Sequence, residues 1–254
     1  MEWSYAASGL LGGFMVGLTG VGGGSLMTPL LVMVFGISPS TAVGTDLLYA
    51  AATKASGVWA HHRKGNVDWR ATGLLMLGSA PATLITLVAL RNFKPTPGFE
   101  SGIRHGLALA LALTAAALLC GLFNRRCSLT PGQGQAARPL LLTVLLGGLI
   151  GTLVTVSSVG AGALGTAVLV ALYPKMPIAR IVGTDIAHAV PLTLLAGLGH
   201  FTLGHVNLGL LGNLLVGSIP GIWLGSLLNA HIPERVSRMV LSALLLLIAA
   251  KMGF

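Results

Sequence analysis

Val21-Gly-Gly-Gly-Ser-Leu-Met-Thr28 returns 138 positions later as Val159-Gly-Ala-Gly-Ala-Leu-Gly-Thr166. Val21, Gly22, Gly24, Leu26, Thr28 and Leu31 coincide with Val159, Gly160, Gly162, Leu164, Thr166 and Leu169. After one inserted residue the offset is 139, and Val43-Gly-Thr-Asp46 meets Val182-Gly-Thr-Asp185. His61, Gly65, Val67, Gly73, Gly78, Ser79 and Pro81 then meet His200, Gly204, Val206, Gly212, Gly217, Ser218 and Pro220. Glycine and polar positions coincide, not merely one leucine with another, so the chain holds two copies of one unit.

Each copy carries five apolar segments. They are 4–18, 25–36, 43–60, 71–90 and 105–123, then 139–156, 163–173, 180–199, 207–229 and 236–254, with a polar loop from Asn124 to Arg138 between the sets. The last three of each set reach the roughly 20 residues that cross a hydrocarbon core as helix. The first two are shorter, and the joints inside those pairs are glycine-rich, which breaks helices. Composition agrees with a lipid-facing exterior. Of 254 residues, 54% are hydrophobic and only 8% charged, too few charges to cover a soluble globule. Disorder and a disulfide scaffold are excluded by the apolar content and by two cysteines, Cys120 and Cys127, which read as free thiols. Residues 1–8 hold Glu2 and no Lys or Arg, so a cleavable signal peptide is not expected.

The net charge of +9 does not point to nucleic acid, because no basic stripe is interleaved with aromatics. It points to loops on a cytoplasmic membrane face. The loop near 61–70 carries Arg63, Lys64 and Arg70, and its counterpart near 200–208 carries no Lys or Arg. The loop near 36–42 has none, and its counterpart near 174–180 has Lys175 and Arg180. Corresponding loops have opposite charge character, so the copies are expected in opposite orientation. That threading puts ten Lys and Arg in cytoplasmic loops, four outside (Arg91, Lys94, Arg104, Lys251), and Lys54 inside a segment. The expectation is an all-α polytopic protein of a bacterial cytoplasmic (inner) membrane, one membrane domain over 1–254. It comprises inverted-topology repeats at 4–123 and 139–254, a cytoplasmic linker at 124–138, and both termini outside. Each repeat has a short Gly-broken helical hairpin, re-entrant or thinly spanning, plus three transmembrane helices.

Broken helices in hydrocarbon are tolerated only where the backbone is buried or lines a wet cavity. Short, glycine-interrupted segments at matching positions of inverted repeats point to the midplane site of a secondary transporter. Helices restarting at Ser25 and Ala163 would aim their positive N-terminal ends at that site, and such ends bind anions. Gly22, Gly23, Gly24, Gly160 and Gly162 let a ligand approach the backbone, and Thr19, Ser25, Ser157 and Ser158 add hydroxyl donors. Close helix packing through small residues is the competing explanation of the glycines.

Gly20-Val-Gly-Gly-Gly-Ser-Leu-Met-Thr-Pro-Leu-Leu31 followed by Ser40-Thr-Ala-Val-Gly-Thr45 resembles the signature of the TauE/SafE sulfite exporter family, also called toluene sulfonate uptake permeases. Ile178-Ala-Arg-Ile-Val-Gly-Thr184 and Gly217-Ser-Ile-Pro-Gly221 resemble its second half, so nearly the whole chain is covered. The resemblance implies an integral membrane carrier of small sulfur-containing anions: sulfite, thiosulfate, sulfonates or sulfoacetate-like compounds. The chain departs from the pattern at Asp46 and Asp185, where a small polar residue such as Ser or Asn is expected.

Those acids have two readings. One is a helix N-cap. The other is a buried carboxyl that holds a proton part of the time, ceases to repel an anion, and couples transport to protons. Lys54, eight residues after Asp46 and on roughly its face, could neutralise a substrate, pair with Asp46, or snorkel to the cytoplasmic end. His188 follows Asp185 by three and reads as a proton relay, an anion contact, or a hydrogen-bonded core histidine. Thr45, Tyr49 and Thr53, and Thr184 in the second copy, could line the same space. His61 and His200 read as interfacial anchors, and His61-His62-Arg63-Lys64 as a solvated face. No cofactor or metal is expected, since no metal-ligand spacing occurs. The expected partners are a small sulfur oxyanion or sulfonate, protons and the lipid bilayer. A passive anion channel and an intramembrane aspartyl protease are the alternatives to a carrier. The protease would use Asp46 and Asp185 as a dyad, yet each lies near its segment's start, and inversion would separate them by much of the bilayer.

Overall fold

Helices run where the apolar stretches place them. The computed structural model describes residues 3–19, 24–92, 97–123, 137–160, 162–229 and 234–253, and the regular structure among these is entirely helical. In the first half lie α1 (Trp3–Thr19), α2 (Gly24–Phe35), α3 (Pro39–Arg63), α4 (Trp69–Asn92) and α5 (Pro97–Phe123). In the second lie α6 (Ala137–Ser157), α7 (Ala163–Leu172), α8 (Ile178–Thr202), α9 (Leu208–Asn229) and α10 (Glu234–Gly253). The linker with Cys127 and the first glycine cluster, including Gly22 and Gly23, lie outside the described residues.

Among the described residues five stretches are long and apolar enough to cross a membrane: Trp69–Asn92, Ser101–Leu119, Leu140–Ser157, Ile178–Thr202 and Leu208–Gly225. The first segment of the second half, expected to be short, is therefore of spanning length. Leu26–Phe35 and Ala163–Leu172 are apolar but shorter. Large apolar side chains such as Leu77, Ile85, Leu145, Ile219 and Leu247 stand exposed, as a lipid-facing surface requires. The inner surfaces are instead rich in threonine and serine, with Thr45, Thr83, Thr114, Thr155 and Ser218 fully buried.

The halves interlock rather than fold side by side. Helix α1 packs along α9, and α6 along α4; α5 packs on α10, and α3 on α8. Small residues set these seams. A Cβ on Gly9 or Gly13 would collide with the backbone of Leu214 or Ser218, and one on Gly147 or Gly151 with that of Leu75 or Ser79. Gly78 and Gly217 meet Val144 and Ala6 in the same way. Every one of these contacts in one half has its partner in the other at the offsets 138 and 139. Close backbone approach through small residues is how helices associate where lipid offers no hydrophobic drive.

Helices α3 and α8 are antiparallel. The Asn207 N–H, beyond the end of α8, donates to Thr45 near the start of α3 at 3.1 Å. The Asp68 N–H, beyond the end of α3, donates to Thr184 near the start of α8 at 2.9 Å. These two bonds are also equivalent under the 139-residue offset. Each loop then caps its next helix: Asp68 Oδ1 accepts from Arg70 and Ala71 at 3.1 Å each, and Asn207 Oδ1 from Leu210 at 3.0 Å.

Candidate functional site

The buried polar centre is built on α3 and α8, with the short helices α2 and α7 supplying hydroxyls. Asp46 and Asp185 are 0% and 2% exposed. Thr28 of α2 donates to Asp46 Oδ2, and Thr166 of α7 donates to Asp185 Oδ2 at 3.1 Å. The N-cap reading of the two acids is corrected. The caps are Ser38 and Pro177, and Pro39 and Ile178 start the helices, so each carboxylate sits seven residues inside its helix. Both starts escape hydropathy: the first turn of α3, Pro39-Ser-Thr41, is polar, and α8 opens after Pro177 with Arg180 in its first turn.

Lys54 is 6% exposed and acts electrostatically on both acids. No hydrogen bond joins the two carboxylates among the described residues. The Ser158 hydroxyl lies beside Asp46 without closing a hydrogen bond on it. Each acid therefore has one oxygen on a threonine, and its Oδ1 is buried with no hydrogen-bond partner among the described residues.

His188 and Tyr49 are equivalent positions of the two halves and are similarly used. The His188 Nε2 lies 2.9 Å from the Ser79 hydroxyl on α4. The Tyr49 hydroxyl faces Ser218 on α9, the counterpart of Ser79, without closing a bond. Thr53 turns its hydroxyl to the Tyr49 carbonyl at 2.8 Å. His200 is not an interfacial anchor: it is 1% exposed, and its Nε2 sits 2.9 Å from the Thr155 carbonyl, bracing α8 against α6. Its place at a segment end suggested an anchor, but the end of α8 is covered by α6.

The second glycine break is tightly wound. Ser157 donates to the Leu153 carbonyl at 2.6 Å and accepts from the Val159 N–H at 3.2 Å, so its hydroxyl closes the turn. Gly160 and Gly162 have φ of 101° and 139°, which a side chain would strain, and Ser158 joins them at 56°. Gly162 precedes α7 without a side-chain cap, and the Leu164 N–H in the first turn donates to the Gly160 carbonyl at 3.2 Å. In the first half Thr19 ends α1, and Gly24 and Ser25 open α2.

Ser158 and Tyr49 thus stand on the Asp46 side of this polar centre, and Lys54 is the group that acts on both Asp46 and Asp185. Thr45 and Thr184 stand apart from them, their hydroxyls taken by the opposite half's loop. Thr28 and Thr166 were not singled out as site residues, although they appear in the repeat as matched polar positions between apolar neighbours. Among the described residues no three His, Cys, Asp or Glu gather as metal ligands.

The family model described as Sulfite exporter TauE/SafE matches residues 5–252. A protein of Bacillus subtilis strain 168, Probable membrane transporter protein YjnA, is 38% identical over 99% of this chain and all of its own length. Probable membrane transporter protein YdhB of the same strain is 29% identical over 88% of this chain and 89% of itself. A Probable membrane transporter protein of Xylella fastidiosa strain Temecula1 is 26% identical, over 93% and 90% respectively. No solved structure matches.

Proposed function

We propose a carrier mechanism for this chain, which belongs to the sulfite exporter TauE/SafE family of membrane transporters. The cargo is a small sulfur-containing anion (sulfite, thiosulfate or an organosulfonate), and it crosses by alternating access at the α3–α8 centre with protons as the coupling ion. The chain sits in a bacterial cytoplasmic membrane with both termini outside, its halves in opposite orientation.

One observation carries the reading. Each buried acid is held by a threonine from the short helix of its own half, beside a glycine break, with Lys54 between them. Ionisable groups within a membrane domain mark transport pathways because their burial is otherwise costly. The start of α7 has no side-chain cap, and the positive end of a helix suits oxyanions. Two acids next to such a site would repel an anion, and a proton on one of them removes the repulsion. The antiparallel crossing of α3 and α8 and the exchange of equivalent contacts support the opposed orientation of the halves.

The test is uptake of sulfite, thiosulfate and an alkanesulfonate into proteoliposomes, with and without a proton gradient. An imposed gradient is expected to drive at least one of the three, and Asp185→Asn to abolish the pH dependence. Intact transport with unchanged pH dependence in Asp185→Asn contradicts proton coupling through this residue.

A further inference from the structure

We infer that Lys54 is a single mobile counter-charge, seated where α3 crosses α8 and paired alternately with Asp185 and Asp46 as the protein changes access. The alternation rests on the carrier reading above; the place of Lys54 between the two acids rests on the geometry of the α3–α8 crossing.

The crossing point can be located from contacts on either side of it. Gly197 lies against Leu48, and Gly57 against Ile186. The midpoints of these pairs fall at residues 52–53 on α3 and 191–192 on α8, themselves equivalent at the offset of 139. Lys54 and its equivalent Thr193 therefore stand within two residues of the pseudo-twofold axis. Asp46 lies on one side of that point along α3, and Asp185 on the other side along α8. At 1.5 Å per residue each is about 10 Å from the crossing in height. The arrangement is one cation between two acids at different depths.

The symmetry fails at the cation. Thr193 spends its hydroxyl on the Ala189 carbonyl at 2.8 Å, so the second half offers no charge in return. Tyr49 and His188, the other titratable groups facing the centre, are turned to Ser218 and Ser79. One ammonium thus stands between two carboxylates and acts on both. Asp46 is also attended by the hydroxyls of Thr28 and Ser158. With one acid paired to Lys54, a proton on the other removes the remaining negative charge. Transfer of the ammonium from Asp185 to Asp46 releases the Asp46 proton to water on its side, and Asp185 takes a proton from the other side. The return of the ammonium reverses both proton steps, so net proton movement requires that one of the two transfers occur with the anion bound, and the flexible four-carbon stem of lysine suits the exchange.

The experiment relocates the charge across the axis. Wild type, Lys54→Thr, Thr193→Lys and the double variant Lys54→Thr/Thr193→Lys are purified, reconstituted and assayed with sulfite, thiosulfate and an alkanesulfonate, and their Tm is measured in detergent. Removing the cation from two buried acids is expected to lower Tm and to cut transport by at least about tenfold. The double variant is expected to recover both, because the ammonium then stands at the equivalent point. Wild-type transport and Tm in Lys54→Thr would overturn the proposal, as would a double variant that recovers neither. If wild type moves none of sulfite, thiosulfate and an alkanesulfonate, the carrier reading fails on its own, and the loss and recovery of Tm still decide whether one cation serves both acids.

Discussion

Thr28 and Thr166 stand eighteen and nineteen residues from the acids they serve, yet each donates to the carboxylate of the following long helix. A hydrogen bond to a charged or partly charged buried group is worth about 1.5–3 kcal/mol, so Thr166→Val is expected to destabilise the protein by about that amount. Thr166→Ser, which keeps the hydroxyl, is expected to lose much less. Unfolding monitored in detergent measures both, and equal losses for the two variants would assign the effect to packing instead. Such side chains were only partly legible. The acids and the lysine stand out because charge is rare in this chain. The threonines do not, since a hydroxyl in an apolar helix also satisfies itself on its own backbone, as Thr193 does on Ala189.

At the scale of the helices, glycine decides which surfaces approach. A Cβ on Gly78 would run into the Val144 carbonyl, whereas a Cβ on Gly73, in the same helix, meets nothing within 4 Å. Gly78→Ala is expected to open the α4–α6 seam and destabilise by about 1–3 kcal/mol, as overpacking does. Gly73→Ala is expected to be neutral or to stabilise by up to about 1 kcal/mol through helix propensity. Melting of the two variants compares them directly. Hydropathy predicts ten helices whose ends lie within four residues of those found, except that α5 starts at Pro97 and not at 105, because lipid-facing and helix-breaking stretches differ sharply in hydropathy. The polar ends of α3 and α8 escape it: Pro39 and Ile178 start helices that hydropathy begins at 43 and 180. That shortfall is why Asp46 resembles a cap in the sequence. The repeat predicts equivalent positions, but not that α1 would pack on α9 and α6 on α4. Which equivalent surfaces meet depends on small residues whose partners lie far off in sequence.

For the whole molecule, opposed halves make a prediction about sides. Arg63 and Thr202 are equivalent, both exposed, and each is close to the end of its helix, α3 or α8. In a background lacking Cys120 and Cys127, Arg63→Cys is expected to react with an impermeant thiol reagent only from the cytoplasm, and Thr202→Cys only from outside. Labelling of both from one side would contradict the opposed orientation. The charge asymmetry of the loops is the sequence feature from which this expectation comes. The identity of the cargo is not written there in the same way, because amide and hydroxyl donors serve many oxyanions alike.

Alternating access at the α3–α8 centre is tested most directly by counterflow in proteoliposomes. Vesicles preloaded with unlabelled sulfite or thiosulfate receive a trace of the same labelled anion outside. A carrier accumulates label transiently above its outside concentration, and that overshoot is the expected result, with Lys54→Thr abolishing it. Label that only equilibrates, with no overshoot for any of the sulfur anions, would contradict a carrier and leave a passive pore.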